Sequence, residues 1–191
     1  AERIQAIVRA LRTFSRMDEA EVKTVNIHDG IDSTLMILQS RLKPTAGHRG
    51  IDIIRDYGNL PLIECYAGQL NQVFMNVLSN AIDALEDAMA QGKWDAETHS
   101  TPQIHVCTEQ VGDRVVIRIR DNGPGMRESV RKRLFEPFFT TKAVGKGTGL
   151  GLSISYQVVV DRHGGQLTCT SAPGEGAEFV IRLPLGRRRG L

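Results

Sequence analysis

The sequence predicts an α+β fold, and three observations support that prediction. Residues 67 to about 91 show the apolar spacing of one long amphipathic helix. Residues 104–109 and 114–120 alternate between apolar and polar side chains around a Gly-Asp turn, which predicts a β-hairpin. Residues 166–171 and 178–183 are typical of two further strands, joined by a loop rich in Pro and Gly. Such a chain combines helices with a sheet that is at least partly antiparallel.

The composition suits one ordinary domain with an appendage. The chain has 191 residues, 41% of them apolar, which is enough for a sizeable core. Its 24 Lys and Arg residues against 22 Asp and Glu residues leave a net charge of +2, too balanced to favour nucleic acid as a partner. Cys65, Cys107 and Cys169 lie far apart in strand-like apolar stretches, so we expect buried side chains without a disulfide framework or a metal site.

Several features of the sequence indicate where the protein is located in the cell. No run approaches the ~18 apolar residues of a membrane span, and Glu2 and Arg3 make the first residues unlike a signal peptide. Together with cysteines that suit a reducing compartment, this predicts a cytoplasmic domain, and a membrane-anchored parent protein is compatible with it. Residues 187–191 contain three consecutive arginines, and we expect a solvated basic tail there rather than a binding patch.

Residues 1–20 predict a helix. Ile4, Ile7, Leu11 and Phe14 follow the 3-4-3 spacing of a coiled-coil seam. Two heptads are too few for a stable isolated pair, so we interpret the segment as the end of a longer helix. An ordinary amphipathic helix packed on its own domain fits the same pattern.

Shorter elements lie on either side of the long helix. Residues 24–27, 51–54 and 62–65 are strand candidates, and a helix is predicted from residue 31 to 42. The candidates for the N-cap of that helix are Asp29, Asp32 and Ser33. After the long helix, residues 92–102 predict a loop whose Trp94 tucks back against the domain.

The long helix carries a polar stripe opposite its apolar arc. The stripe consists of Gln69, Gln72, Asn76, Asn80, Asp83 and Asp87. A merely solvated stripe would normally contain Glu, Lys and Arg, because Asn is a poor helix former. A lone Asn here would have a structural explanation, but we predict that Asn76 and Asn80, one turn apart and followed by Asp83, face a ligand.

A carboxylate ends the second hairpin strand. Asp121 is followed by Gly123 and Gly125. A carboxylate beside bare glycines can accept hydrogen bonds from a flat ligand pressed close to the backbone. A tight turn would explain the glycines but not the Asp that precedes them.

Glycine occupies every second position of residues 145–151. This run cannot form a helix or strand interior, and it leads into a helical pattern, as phosphate-binding loops do. A flexible linker is the alternative, and the run matches neither a P-loop nor a dinucleotide fingerprint. Before it, a short helix over residues 129–135 and an aromatic, Pro-broken segment over residues 135–142 suit a hinged lid.

Four separated segments together resemble the catalytic ATP-binding domain of sensor histidine kinases, in the GHKL superfamily. Residues 72–84 are similar to its N box, 121–125 to its G1 box, 135–139 to its F box and 145–151 to its G2 box. The resemblance covers residues 24–185. It implies a two-layer α/β sandwich of the Bergerat type, with a mixed sheet of about five strands backed by three helices. It also implies a catalytic domain over residues 21–186, with residues 1–20 ending a helix of the dimerisation bundle.

The resemblance implies a site for ATP and Mg²⁺. Asp121 would accept the adenine amino hydrogen, Asn80 would hold Mg²⁺, and Asn76 would line the same site, so that Asn76 and Asn80 form the catalytic pair. The other nucleotide contacts implied are Asp83, Gly123, Gly125, Thr140, Thr141, Lys142, Gly145, Lys146, Gly147, Thr148, Gly149, Leu150 and Gly151.

The activity implied is transfer of the γ-phosphoryl group of ATP to a histidine of the bundle, and onward to an aspartate of a response regulator. The parent protein would dimerise through that bundle. The sequence departs from the family at two points. The acceptor histidine is missing, because His28-Asp29 copies the expected dipeptide in the wrong context. Asp83 stands where many relatives have a basic residue, which argues against a direct phosphate contact there.

Two other functions are compatible with the sequence. ATP-hydrolysing members of the superfamily resemble one another in placing a Glu base where Asn76 stands, and an amide cannot take a proton from water at neutral pH. Asn76 therefore favours a kinase over a hydrolase. An interaction module without transfer chemistry would keep the same pocket, but Asn80, Asp121 and the glycine run argue for a working site.

Overall fold

A computed structural model of the protein describes residues 21–45, 49–94, 100–142 and 147–186. Its strands are β1 (Lys23–Val25), β2 (Asp52–Tyr57), β3 (Ile63–Cys65), β4 (Gln103–Val111), β5 (Arg114–Asp121), β6 (Gln166–Ser171) and β7 (Ala177–Pro184). Its helices are α1 (Ile27–Ile37), α2 (Gln39–Leu42), α3 (Ala67–Ala90), α4 (Glu128–Arg131) and α5 (Gly151–Tyr156), and α5 continues as a π-helical segment, Gln157–Arg162. The helix predicted over residues 1–20 and the tail over residues 187–191 lie outside the described residues.

Five strands form one mixed sheet in the order β2-β4-β5-β7-β6. Strand β2 is parallel to β4, and the other pairs are antiparallel. Strands β1 and β3 form a separate antiparallel pair. The predicted mixed sheet of about five strands is therefore confirmed. The register pairs Asp121 with Ile104 on one side and with Ala177 on the other, so the carboxylate lies at the end of the central strand.

Helices α1, α3 and α5 with its extension share one core with the sheet. The apolar arc of α3 includes Phe74 and Leu78, which are fully buried, and the sheet contributes Ile117 and Ile181. Burial of each such side chain stabilises the fold by about 1.5–3 kcal/mol. The polar stripe of α3 is left facing outward, beside the loops that follow β5 and precede α5.

The start of α1 differs from the expectation. The strand ends at Val25, and Asn26 caps the helix, because its side chain accepts a hydrogen bond of 3.0 Å from the backbone N–H of His28. The prediction that Asp29, Asp32 or Ser33 is the cap was wrong. Asp29 lies in the first turn instead, where a negative charge interacts favourably with the helix dipole.

The cysteines and the tryptophan that the sequence predicts to be buried are buried in the structure, with the exception of one cysteine. Cys65 and Cys169 are buried, and burial raises the pKa of each thiol to about 12. Cys107 is only partly buried, because it faces the outer side of the sheet opposite Arg118. Trp94 is buried as predicted, with 6% of its surface exposed. Within the described ranges, no helix is long and apolar enough to span a membrane.

Candidate functional site

A cleft of about 790 Å³ lies between α3, the loop after β5 and the segment before α5. Most of the site residues expected from the sequence line it. They are Asn76, Asn80, Asp83, Asp121, Gly125, Thr140, Thr141, Lys142, Gly147, Thr148, Gly149 and Gly151. Segments that are up to 75 residues apart in the chain therefore meet at one cavity.

The other expected residues lie elsewhere. Gly123 does not line the cleft, and its N–H donates to Asp121 Oδ1 at 2.8 Å. Leu150 directly precedes α5, and its carbonyl accepts a hydrogen bond from Ser153 Oγ at 2.9 Å. Gly145 and Lys146 are outside the described residues.

Apolar walls of the cleft were missed from the sequence. They are Met126, Val130, Leu134, Phe139, Leu152 and Phe179. These residues look like core or loop positions in the sequence, and no spacing marks them. Asp87, which belongs to the predicted polar stripe, also lines the cleft, and Gln91 extends that stripe by one more turn and could have been found from its spacing.

Asp121 is the most enclosed polar group of the cleft, with 4% of its surface exposed. Burial raises the pKa of Asp121, and this effect exceeds the opposing effects of the backbone N–H groups of Gly123 and Ala177 and the charge of Lys93. A carboxylate offers about four acceptor positions, so it has capacity for donors from a ligand. The geometry suits recognition of an N–H group on a flat molecule.

Close backbone contacts fix the loop that carries this carboxylate. Gly125 has φ +69°, and a Cβ there would lie 1.9 Å from the carbonyl oxygen of Ala172. Gly176 has φ +73°, and a Cβ there would lie 2.0 Å from the carbonyl oxygen of Asp121. A side chain at either position would require the backbone to move, so the loop is packed as tightly as a core.

A lysine that we did not predict from the sequence forms hydrogen bonds to the same loop. Lys93 Nζ donates to the carbonyl oxygens of Asn122 and Gly123 at 2.7 and 2.5 Å. The ammonium also lies 4.8 Å from the centroid of the Trp94 ring. From the other side, Asn122 accepts from the N–H of Gln103 at 2.9 Å.

Charged side chains dominate the opposite end of the cleft. Lys142 Nζ donates to Asn80 Oδ1 at 3.1 Å and to the carboxylate of Asp83. Asp83 also accepts from Arg41 Nη2 at 2.5 Å. Burial alone would raise the pKa of Asp83, but the hydrogen bonds from Lys142 and Arg41 outweigh it and lower that pKa. Asn80 Oδ1 therefore faces a position that already favours a cation.

Asn76 connects two walls of the cleft. Its Nδ2 donates to the carbonyl oxygen of Gly151 at 2.9 Å and to Ser155 Oγ at 3.1 Å. A Cβ on Gly151 would lie 3.3 Å from the Asn76 amide carbon. Asn76 thus lines the cleft and also ties the first turn of α5 to α3, a structural contact that the sequence did not predict.

The aromatic segment and the glycine run cross backbone to backbone. Gly149 has φ +67°, and a Cβ there would lie 2.5 Å from the carbonyl carbon of Phe138. Among the described residues other than glycine, Phe138 alone has a positive φ, at 64°. Phe138 is 75% exposed, so burial of its side chain does not explain the strained backbone conformation.

The family model described as "Histidine kinase-, DNA gyrase B-, and HSP90-like ATPase" matches residues 66–187. The chain belongs to this ATPase family. Sensor kinase CckA of Brucella abortus (strain 2308) is 35% identical over 190 residues, covering 96% of this chain and 19% of that protein. The chain therefore spans about a fifth of the length of this curated relative.

Solved structures of the ATPase family agree with the fold. The catalytic domain of histidine kinase ThkA, in a nucleotide-free form, is similar with a TM-score of 0.70 and 25% identity, covering 87% of this chain and 99% of that one. ThkA in complex with response regulator TrrA is similar with a TM-score of 0.65 and 22% identity, covering 96% and 48%. This chain contains a catalytic ATP-binding domain of the sensor histidine kinase type.

The residues that line the cleft fit a bound Mg²⁺ only if a second molecule supplies further ligands. Across the described ranges, no group of three His, Cys, Asp or Glu side chains could hold a metal by itself. A metal in this cleft would therefore need oxygen ligands from a bound molecule as well as from the chain. Asn80 Oδ1 is a suitable oxygen ligand, and it already lies against the ammonium of Lys142.

Two of the three histidines in the described part of the chain, His28 and His163, make contacts within the fold. The His28 ring stacks on Tyr57 with centroids 4.3 Å apart, and its Nε2 lies 2.8 Å from Thr108 Oγ1. His163 Nε2 accepts from the N–H of Tyr66, and its Nδ1 lies 2.7 Å from the carbonyl oxygen of Val158. His48 and His99 are outside the described residues. Neither His28 nor His163 lines the cleft.

Proposed function

We propose that this chain binds Mg·ATP in the cleft and transfers the γ-phosphoryl group to a histidine of the dimerisation bundle of its parent protein. One observation carries the proposal: Asn80, Asp121 and Gly149, from three separate segments, line a single cavity. Residues 21–186 would act as the catalytic domain, and residues 1–20 would end the bundle helix.

Asp121 is proposed to recognise adenine. Its buried carboxylate would accept the hydrogen of the adenine amino group, and the loop that carries it is fixed by the close backbone contacts of Gly125 and Gly176. A neutral amide at this position could turn an N–H toward the adenine amino group. The carboxylate is therefore the better acceptor for this donor.

The opposite end of the cleft is proposed to hold the triphosphate. Asn80 Oδ1 would be the protein ligand of Mg²⁺, which when bound neutralises charge on the phosphates. Lys142, Thr140 and Thr141 from the lid segment, with Thr148, would donate to phosphate oxygens. The bare backbone at Gly147, Gly149 and Gly151 would let main-chain N–H groups approach them, and we assign Gly145 and Lys146 to the same loop.

The reaction proposed is an in-line transfer. The bond between the γ-phosphorus and the bridging oxygen breaks, a bond from phosphorus to an imidazole nitrogen forms, and ADP leaves. Such transfer depends on positioning and charge neutralisation more than on covalent chemistry from the protein. Asn76 cannot act as a general base, and its amide is held by Gly151 and Ser155, which disfavours activation of water.

The parent protein is proposed to dimerise through the bundle and to pass the group to an aspartate of a response regulator. The relative CckA bears the name sensor kinase, and ThkA has been solved in complex with a response regulator. The proposed reaction needs ATP and a response regulator in the same compartment as this domain. We therefore propose that the domain works in the cytoplasm.

The test mixes this chain with a bundle fragment that carries an acceptor histidine and with γ-labelled ATP. We expect acid-labile label on the bundle fragment. Asn80→Ala should abolish the labelling, whereas the matched control Asn59→Ala, at an exposed loop position, should leave it intact. Rapid steady-state phosphate release without protein label would instead support a hydrolase. Nucleotide binding with no label on histidine would support a module that only binds.

A further inference from the structure

A carboxylate in the charged end of the cleft is unexpected, because this end would receive a triphosphate. Asp83 lies one helical turn after Asn80 and lines the cleft with it. A bare carboxylate beside phosphates would repel them, and the repulsion is strong at partly buried positions. The side chain of Asp83 is only 28% exposed, so water does not fully screen its charge.

The charge of Asp83 is balanced from outside the cleft. Arg41, from α2, donates to Asp83 at 2.5 Å and to both oxygens of Glu86 at 3.2 and 2.5 Å. The two contacts to Glu86 fix the plane of the guanidinium, so it presents an N–H to Asp83 in a set direction. Arg41 does not itself line the cleft.

Asp83 thus has two cationic partners, Arg41 and Lys142, but only Lys142 belongs to the lid segment. The ammonium of Lys142 occupies the oxygen of Asn80 that would hold Mg²⁺. Bound metal and the ammonium would repel each other there, so nucleotide binding requires Lys142 to leave. When Lys142 leaves, Arg41 remains on Asp83, and the carboxylate stays neutralised.

We propose that Arg41 is a positioning residue for the triphosphate, acting through Asp83: its charge lets Lys142 move from Asp83 and Asn80 to the phosphates of the nucleotide. This inference rests on the proposed function of the cleft. Without Arg41, Lys142 is the remaining cation beside Asp83, so the ammonium of Lys142 is held more strongly at Asp83 and Asn80. When Lys142 does leave, the unpaired carboxylate of Asp83 repels the phosphates. The loss of Arg41 should therefore weaken nucleotide binding even though Arg41 touches no nucleotide.

A double-mutant cycle with Arg41→Met and Asp83→Asn tests this coupling by titration calorimetry. We expect Arg41→Met to weaken Mg·ATP binding about tenfold, since coupling between contacting charged groups commonly has this size. Asp83→Asn alone should change the affinity by less than about threefold, because Arg41 already neutralises Asp83 in the parent chain. The double variant should regain most of the affinity lost in Arg41→Met.

Adenosine separates positioning from a general structural role. Adenosine lacks the triphosphate, so Arg41→Met should leave its affinity unchanged, whereas a structural defect would weaken adenosine and Mg·ATP equally. The matched control Arg55→Met removes another arginine–aspartate pair, with Asp32, that lies outside the cleft, and should change neither affinity. If Arg41→Met does not fold, Arg41→Gln removes the charge and keeps hydrogen-bonding capacity, and the same cycle applies.

Three results would overturn the inference: unchanged Mg·ATP affinity in the Arg41 variant, equal losses for Mg·ATP and adenosine, or a double variant no better than Arg41→Met. Failure of the parent chain to bind Mg·ATP at all would instead overturn the proposed function. The two failures are therefore distinguishable within one set of titrations.

Discussion

The two ends of the cleft are built in different ways. At the Asp121 end, a carboxylate that is 4% exposed is surrounded by backbone, with Gly125 and Gly176 in direct contact with neighbouring main chain. At the Asn80 end, the contacts join one side chain to another, and Asp83 and Lys142 are 28% and 32% exposed. One end is held by backbone packing and the other by ion pairs.

This difference suggests different tasks. Backbone packed at core density cannot shift without cost, so the Asp121 end is suited to selecting one shape. Partly exposed ion pairs contribute little net stability and can exchange partners, so the Asn80 end is suited to a charged group that arrives and departs. A nucleotide whose adenine stays while its γ-phosphoryl group leaves needs both properties.

The largest effect is expected from glycine substitutions that compare the two ends. Gly125→Ala should lower the free energy of unfolding by about 2 kcal/mol or more, because the new Cβ meets the Ala172 backbone and φ is positive. Gly147→Ala should cost less than about 1 kcal/mol, since its Cβ would meet only the Thr140 and Lys142 side chains. Urea denaturation measures both, and equal losses would contradict the comparison.

Asp121→Asn should separate binding from stability. We expect ATP affinity to fall roughly 10- to 150-fold, because a buried hydrogen bond to a charged group contributes ~1.5–3 kcal/mol. Titration calorimetry with Mg·ATP measures the loss, and an unchanged affinity would refute the assignment of Asp121 to adenine.

The same variant should not be destabilised without nucleotide. Because burial raises the pKa of Asp121 above its unfolded value, its contribution to stability is largest in acid and is lost as the pH rises through the folded pKa. Asn has no charge to bury, so Asp121→Asn should be at least as stable as the parent chain at pH 7. This advantage in free energy of unfolding should shrink toward pH 4. Urea denaturation of both proteins at the two pH values measures it, and an advantage that is larger at pH 4 than at pH 7 would contradict the prediction.

Asn80→Ala should affect only the metal-dependent part of binding. We expect roughly a tenfold loss of ATP affinity in Mg²⁺, in line with the loss of one contact to a charged group, and little change in chelator. Asn59→Ala is the matched control. An equal loss with and without Mg²⁺ would show that Asn80 acts on the nucleotide or on the fold instead of on the metal.

The smallest effect is a gain in stability at the lid. Phe138→Gly should raise the free energy of unfolding by about 0.5–1 kcal/mol, because it relieves a left-handed backbone and removes a mostly exposed ring. Phe139→Gly is the contrast, since Phe139 lines the cleft and lies under Arg133 at 4.4 Å, and it should destabilise. Thermal unfolding followed by circular dichroism distinguishes the two signs.

Periodicity was sufficient to predict the elements but not the contacts between them. The apolar arc of α3 and the alternation in β4 and β5 predicted those elements to within about two residues, since a local pattern reports local structure. Asp121 was singled out because a carboxylate at a strand end before glycines is unusual, and the structure places it in the cleft. The cap at Asn26 was missed because Asp29, Asp32 and Ser33 were equally good candidates by residue type.

The residues that escaped prediction act across large separations in the chain. Arg41 reaches Asp83 over 42 positions and Lys93 reaches Gly123 over 30, and both look like ordinary solvated charges in the sequence. The apolar walls, such as Met126 and Phe179, carry no chemical signal until the fold brings them beside the polar stripe. Asn76 was found, but its bonds to Gly151 and Ser155 depend on how α5 packs against α3.

The contact between Lys93 and Trp94 gives the molecule a natural optical reporter. Trp94 is the only tryptophan in the chain, and the ammonium 4.8 Å from its ring is bonded to the loop that follows Asp121. Indole emission responds to nearby charge, so a ligand that shifts this loop should change the fluorescence. Occupancy of the Asp121 end of the cleft could then be followed in the unlabelled protein.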